Sequence, residues 1–384
     1  MLPPMSSLAV WIVGAAGNVG ACVLAGWAAV RDRALPPTGL CTTTDPFAQL
    51  PLVGFGDVAF GGHELGDRSL DDSLRRLIAE QILPTSLADA PGVRAALAAA
   101  QAELRPGIGG LGGWDDLVRI RAELEAFRTR SRAERVVVLN VASTEAPVNG
   151  GIPTDPDALF AALRAGLRLP PSALYGAAAI DLGLAFVNFT PSVGSDLPAL
   201  HALALARGAV HAGADGKTGQ TLVKTALAPM FAIRRLPVQS WVSYNLLGNE
   251  DGRALSDPDR RASKTRSKAA PLKAILGYEP EGGVDIDYVP SYGDWKVAWD
   301  RIVFAGFGGA TMTLEMSWRG CDTALAAPLC IDLVRFAELA QRRGERGVLR
   351  HLAVFFKSPI GSDEHRLERQ WQALVDHVCS APPR

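Results

Sequence analysis

The sequence is poor in lysine, and its first 216 residues contain none. Seven lysines, at 217, 224, 264, 268, 273, 296 and 357, stand among 39 basic residues, so arginine serves as the ordinary surface cation. Coding bias accounts for that ratio but not for the gathering of lysines in the second half. Lysine does what arginine cannot: a desolvated or crowded ammonium loses its proton near neutral pH. The lysines are therefore read as chemistry before surface.

Other absences narrow the class. The five cysteines (Cys22, Cys41, Cys321, Cys330, Cys379) are odd in number and scattered, with no CxxC. A reducing, cytoplasmic setting is expected rather than a disulfide framework. The longest apolar runs, such as Ala95–Ala100 and Val136–Leu139, fall far short of a membrane span. Met1-Leu-Pro-Pro-Met lacks a basic stretch leading into an apolar one, so no signal peptide is expected. A formal net charge of -1 offers no bulk attraction for nucleic acid, and 48% hydrophobic residues argue against disorder. None of the six histidines forms an HxxxH or HExxH pair, so the sequence shows no dedicated metal site.

What is present begins at Val10–Val13, a short apolar strand running into Gly14-Ala15-Ala16-Gly17-Asn18-Val19-Gly20 and an apolar helix. Strand, glycine turn and helix open a dinucleotide-binding unit, where the turn lets a pyrophosphate approach the helix N-terminus. The spacing is GxxGxxG rather than GxGxxG, and a plain packing turn is the competing reading. Strands at Asp57–Gly61, Arg135–Val141, Leu184–Asn188 and Ala209–Ala212 alternate with helical stretches, which predicts a doubly wound α/β domain. Arg135–Val141 ends in Ala142-Ser143-Thr144-Glu145, small polar residues where such sheets bind ligands.

The pattern changes after residue 222. Val238–Leu246, Val284–Pro290, Arg301–Ala305 and Thr311–Trp318 read as strands without long helices between them, which predicts a mainly antiparallel sheet. From Asp322 the chain turns helical again. The expected division is a Rossmann-like domain of residues 1–222, an inserted mixed or antiparallel sheet domain of 223–322, and helices of 323–384 returning to the first domain.

Four polar segments lie in the second half: Ala214–Thr221, Ser243–Gly252, Ser263–Lys268 and Tyr292–Lys296. The first is a glycine loop before a helix, suited to hold an anion on backbone N–H groups. The third puts two lysines at i and i+4, on one face if helical. Any one of them reads equally as a solvated loop. Four in one half-chain weaken that reading.

At these residues the chain resembles the inositol-3-phosphate synthases (myo-inositol-1-phosphate synthases). The matching blocks are Gly14–Gly20, Phe60–Glu64, Val141–Glu145, Lys217–Thr221, Ser243–Gly252, Ala262–Lys268, Gly293–Lys296, Cys321–Pro328 and Phe356–Pro359. The resemblance implies a redox-neutral cyclisation of a hexose phosphate with tightly held NAD: oxidation at carbon 5, enolisation, aldol closure and re-reduction. It places Lys264, Lys268, Lys296 and Lys357 around the substrate, supported by Asp215, Asp251, Asp322, Asn245 and Asn249. Thr218, Gly219, Gln220 and Thr221 match the phosphate loop. Gly14–Gly20, Glu64, Ser143, Thr144 and Asp294 match the cofactor side. An enolate and an alkoxide need fixed cations, and proton transfer needs groups near neutrality, which crowded lysines provide. Lys224 and Lys273 match no block and are expected to tolerate alanine.

The resemblance further implies a homotetramer acting on a sugar phosphate, and family members use either a divalent or a monovalent cation. Departures from the pattern include His63-Glu64 for Trp-Asp beside the ribose, and Asn188-Phe189-Thr190-Pro191 for a more polar stretch. They leave open a specialised cyclase acting on another sugar phosphate, such as fructose 6-phosphate, for a carbasugar. An ordinary NAD dehydrogenase would give no reason for four lysines in these blocks.

Overall fold

The structure, a computed structural model, describes residues 8–56, 58–148, 150–248 and 271–380. Strand β1 (Leu8–Val13) is buried along its whole length. Leu8, Val10 and Ile12 enter one core, and Ala9, Trp11 and Val13 enter the other. A strand so apolar on both sides belongs inside a sheet covered on both faces. With β2 (Val58–Glu64), β3 (Leu104–Pro106), β4 (Arg135–Asn140), β5 (Ala185–Asn188) and β6 (Val210–Ala212) it forms a parallel sheet in the order 3-2-1-4-5-6. This is the Rossmann order.

Helices α1 (Asn18–Arg31), α2 (Leu70–Ala79) and α3 (Pro91–Ala102) cover one face. Helices α4 (Trp114–Ser131), α5 (Pro156–Arg164), α6 (Pro171–Asp181) and α7 (Pro198–Arg207) cover the other. Local chemistry starts several of them: Ser69 accepts the Asp72 N–H at 3.0 Å, and Asp155 accepts the Ala158 N–H at 2.9 Å. Helix α6 has no counterpart in the sequence reading. It is buried from Ser172 to Ile180 and therefore lacks the polar face that makes a helix visible as a periodicity.

Helix α8 (Gln220–Ile233) leads to a second sheet of β7 (Val238–Leu247), β8 (Val284–Tyr288), β9 (Trp295–Ala305) and β10 (Thr311–Cys321), in the order β10-β9-β7-β8. β9 is antiparallel to both neighbours, but β7 and β8 are parallel. Two of its three pairings are thus antiparallel, as expected, and the parallel β7–β8 pairing makes the sheet mixed. β9 also begins six residues earlier than expected, which puts Lys296 within the sheet.

Helix α9 (Asp322–Arg342) returns to pack on α1 and β4. β11 (Gly347–Val348) extends the parallel sheet beyond β6, and α10 (Leu367–Ser380) closes the chain. All five cysteines are free thiols. Among the described residues, no helix is long and apolar enough to cross a membrane.

Candidate active site

The chain leaves β1 toward β2 and leaves β4 toward β5, so the carboxyl ends of these neighbours open a crevice. A cleft of about 1220 Å³ lies there. Gly14 takes φ +85°, and a Cβ on it would lie 2.9 Å from the Ala142 Cα, so only glycine lets the two loops approach. Helix α1 starts with no side-chain cap and no acid in its first turn, which leaves its N–H groups and positive end for an anion. Glu64 Oε2 accepts the Ala16 N–H and Oε1 the Leu65 N–H, both at 2.8 Å. These contacts hold a carboxylate at the edge of the turn, as recognition of a ribose diol requires.

Gly14, Ala16, Gly17, Asn18, Val19, Glu64 and Ser143 line the cleft. Ala15 and Gly20 are buried beneath the turn, and Thr144 does not reach the wall. Glycine turn, uncapped helix and carboxylate together fit a dinucleotide.

The cleft ends at Asp294, Asp322 and Thr323. Asp322 opens α9, and its Oδ1 accepts the Thr218 hydroxyl at 2.8 Å and the Lys296 ammonium. Burial alone would raise its pKa, but Lys296, Lys357 and the Thr218 hydroxyl hold it well below the usual carboxylate range. Gly219 makes room for the lysine, since a Cβ there would sit 3.1 Å from Lys296 Nζ. Lys357 Nζ donates to Asp215 Oδ1 at 2.8 Å, and the backbone repeats the join as the Lys357 N–H meets the Asp215 carbonyl at 2.7 Å. Asp294 is buried, which pushes its carboxyl upward, while Thr323 and the Cys321 thiol at 3.5 Å favour the ionised form. Segments far apart in the chain thus bring Asp215, Thr218, Gly219, Lys296, Asp322 and Lys357 together. Lys264, Lys268, Asn249 and Asp251 lie outside the described residues.

Thr221 is buried, and Gln220 and Asn245 belong to a second, deeper constellation. Gln220 Nε2 donates to Asp300 Oδ2 at 2.9 Å, and Asn245 Nδ2 donates to Gln220 Oε1 at 3.0 Å. The Trp241 indole at 2.9 Å and the Ser243 hydroxyl complete the donors around Asp300, which is fully buried. Asp300 was not singled out from the sequence because it sits in no motif. Its signal was its place on the inward-facing run Lys296, Ala298, Asp300, Ile302 of β9.

The described lysines with lowered pKa values are not those expected. Burial brings both Lys217 and Lys224 down to about 8, with the Asp300 charge opposing the shift at Lys224. Lys224, read from the sequence as dispensable, is 1% exposed, and its ammonium lies 6.0 Å from the Trp241 ring. Lys217 donates to Gln370 Oε1 of α10 at 2.5 Å.

The departures also have structural places. His63 turns beneath the cleft, its ring nitrogens 2.5 Å from the Tyr175 hydroxyl and 2.6 Å from Glu123. Burial pushes it down to about 4, so it is neutral at pH 7. Phe189 packs under the substrate-side loop: a Cβ on Gly216 would come within 2.0 Å of its ring.

Residues 8–378 match an NAD-binding family model described as myo-inositol-1-phosphate synthase. The inositol-3-phosphate synthase 1 of Bacteroides thetaiotaomicron is 32% identical across 97% of this chain and 95% of its own. The Rattus norvegicus protein of that name is 34% identical over 82% of this chain, a match that spans 62% of the rat protein's length. Among solved structures, inositol-3-phosphate synthase from Caenorhabditis elegans shares the fold, with a TM-score of 0.83 at 24% identity, covering 98% of this chain and 86% of that one. A myo-inositol-1-phosphate synthase-related protein from Thermotoga maritima gives 0.79 at 25% identity, covering 99% and 100%. The family match runs from β1 into α10, through both sheets, the cleft and the lysines at its end: the chain belongs to the myo-inositol-1-phosphate synthase family.

Proposed function

We propose that the protein is an NAD-dependent isomerase, an intramolecular lyase converting D-glucose 6-phosphate to 1D-myo-inositol 3-phosphate without net redox change. The observation that carries this reading is the meeting of Lys296, Lys357, Asp215 and Asp322 at the end of the dinucleotide cleft. Bound NAD would supply hydride acceptance and return at carbon 5. The chain would supply the rest. Thr218, Gly219, Gln220 and Thr221, at the N-terminus of α8, would receive the phosphate with Asn245 and Asn249. Lys264 would move the proton at carbon 5, Lys357 would bind the carbonyl oxygen at carbon 1, and Lys268 and Lys296 would offset developing negative charge.

Asp215, Asp251 and Asp322 would fix the lysines; the ionised Asp322 keeps Lys296 placed while the phosphate is absent. Glu64 and Asp294 would hold the cofactor side. Residues 1–222 with 323–384 would bind NAD, and 223–322 would carry the catalytic sheet and the contacts of a homotetramer. A second reading, closure of another sugar phosphate such as fructose 6-phosphate, draws on Phe189 beneath the substrate-side loop. Incubation with NAD and each hexose phosphate, followed by ³¹P and ¹³C NMR, separates these readings. Inositol phosphate from glucose 6-phosphate supports the first, a carbocycle only from fructose 6-phosphate the second, and accumulating NADH with an open-chain ketone neither.

A further inference from the structure

Away from the cleft, at the β11 edge of the parallel sheet, three side chains from three elements converge. Glu345 follows α9, His351 follows β11, and His377 lies in the last turn of α10. Their candidate ligand atoms, one from each residue, all lie within 4.8 Å of one another. His377 Nε2 is 3.0 Å from Glu345 Oε2, and the two imidazoles lie face to face with centroids 3.8 Å apart. The histidines are 26 positions apart, so no HxxxH spacing betrayed them.

We infer that Glu345, His351 and His377 form a binding site for a borderline divalent cation of the Zn²⁺ class, which staples α10 to the body of the protein. Two imidazoles and one carboxylate are the donor set such ions select, with water completing the coordination. In tetrahedral coordination, bonds of about 2.0–2.2 Å place two ligand atoms about 3.3–3.6 Å apart, so the exposed His377 ring has to turn out of its stack on His351 to close the set. The Arg343 guanidinium is engaged by the Val378 carbonyl at 2.8 Å. Gln370, two turns before His377, holds Lys217 of the substrate-side loop, so a clamp on α10 reaches a residue next to Thr218.

The full chain, stripped with EDTA, is titrated with ZnCl₂ by calorimetry and by competition with a chromophoric chelator. One equivalent is expected at micromolar affinity or better, with a rise in thermal midpoint. His377→Ala at an exposed residue and Glu345→Gln at a half-buried one should each weaken it at least tenfold and abolish the rise. Asp322→Asn, which alters only the cleft, should leave it intact. Absence of stoichiometric binding, or binding that survives both substitutions, overturns the site. Loss in Asp322→Asn alone assigns the ion to the cleft and equally overturns it.

Discussion

Lys296 and Thr218 donate to the same oxygen of Asp322, so one carboxylate joins the start of β9, the loop before α8 and the start of α9. In this account Asp322 holds the lysine in place at the cleft wall until the phosphate and the developing oxyanion take its charge. Lys296→Ala should lower kcat by about a hundredfold, the scale of losing a positioned oxyanion group. Asp322→Asn should cost a similar amount. Both are read by inositol phosphate formation under saturating substrate, with circular dichroism to verify folding.

The Lys357–Asp215 pair makes a separate demand. Lys357→Ala should also cost about a hundredfold in turnover. Lys273→Ala should change neither turnover nor stability by more than about 0.5 kcal/mol, since this lysine is exposed and pairs loosely with the exposed Glu279 at 3.8 Å. Equal activity of the two variants would remove Lys357 from the chemistry.

Glu64 decides the cofactor. Its carboxylate, fixed by the Ala16 and Leu65 N–H groups, would repel a 2′-phosphate. Fluorescence titration should show NAD binding more tightly than NADP, and Glu64→Gln should narrow that gap by roughly tenfold or more. Tighter NADP binding by the unaltered protein would contradict the assignment.

Lys217 and Lys224 make stability depend on pH. Their folded pKa values of about 8 lie below the unfolded value, so above pH 8 the unfolded chain binds more protons. Unfolding free energy should therefore rise from their side between about pH 8 and 10.4, after which the contribution is flat. Cys22 and Cys321, held up at about 12, act in the opposite direction because their unfolded thiols ionise first. The difference between wild type and Lys217→Met or Lys224→Met isolates the lysines. Thermal melts should show each variant gaining relative stability at pH 7.5 and losing that advantage toward pH 10.

The first domain was legible because β1 carries apolar residues on both faces and runs into Gly14–Gly20, a local pattern that needs no partner to be recognised. Lys296 and Lys357 stood out through their residue type, and they lie beside Asp322 and Asp215. Helix α6 was hidden because a wholly buried helix has no polar stripe, and the β7–β8 pairing because direction depends on a crossover that local alternation does not encode. The burial of Asp300 and Lys224 did not show for a third reason: it comes from the packing of α8 on the second sheet, and a lone aspartate or lysine in sequence looks like surface. The Glu345–His351–His377 cluster is the same case in a second place.

The central claim, closure without net redox change, is tested most directly with glucose 6-phosphate deuterated at carbon 5 and unlabelled NAD. Mass spectrometry and NMR of the product should show inositol phosphate retaining the deuterium at that carbon in full, with no reduced cofactor accumulating at 340 nm. Deuterium lost to water or recovered in released NADH, or consumption of the sugar without a carbocycle, would contradict the account.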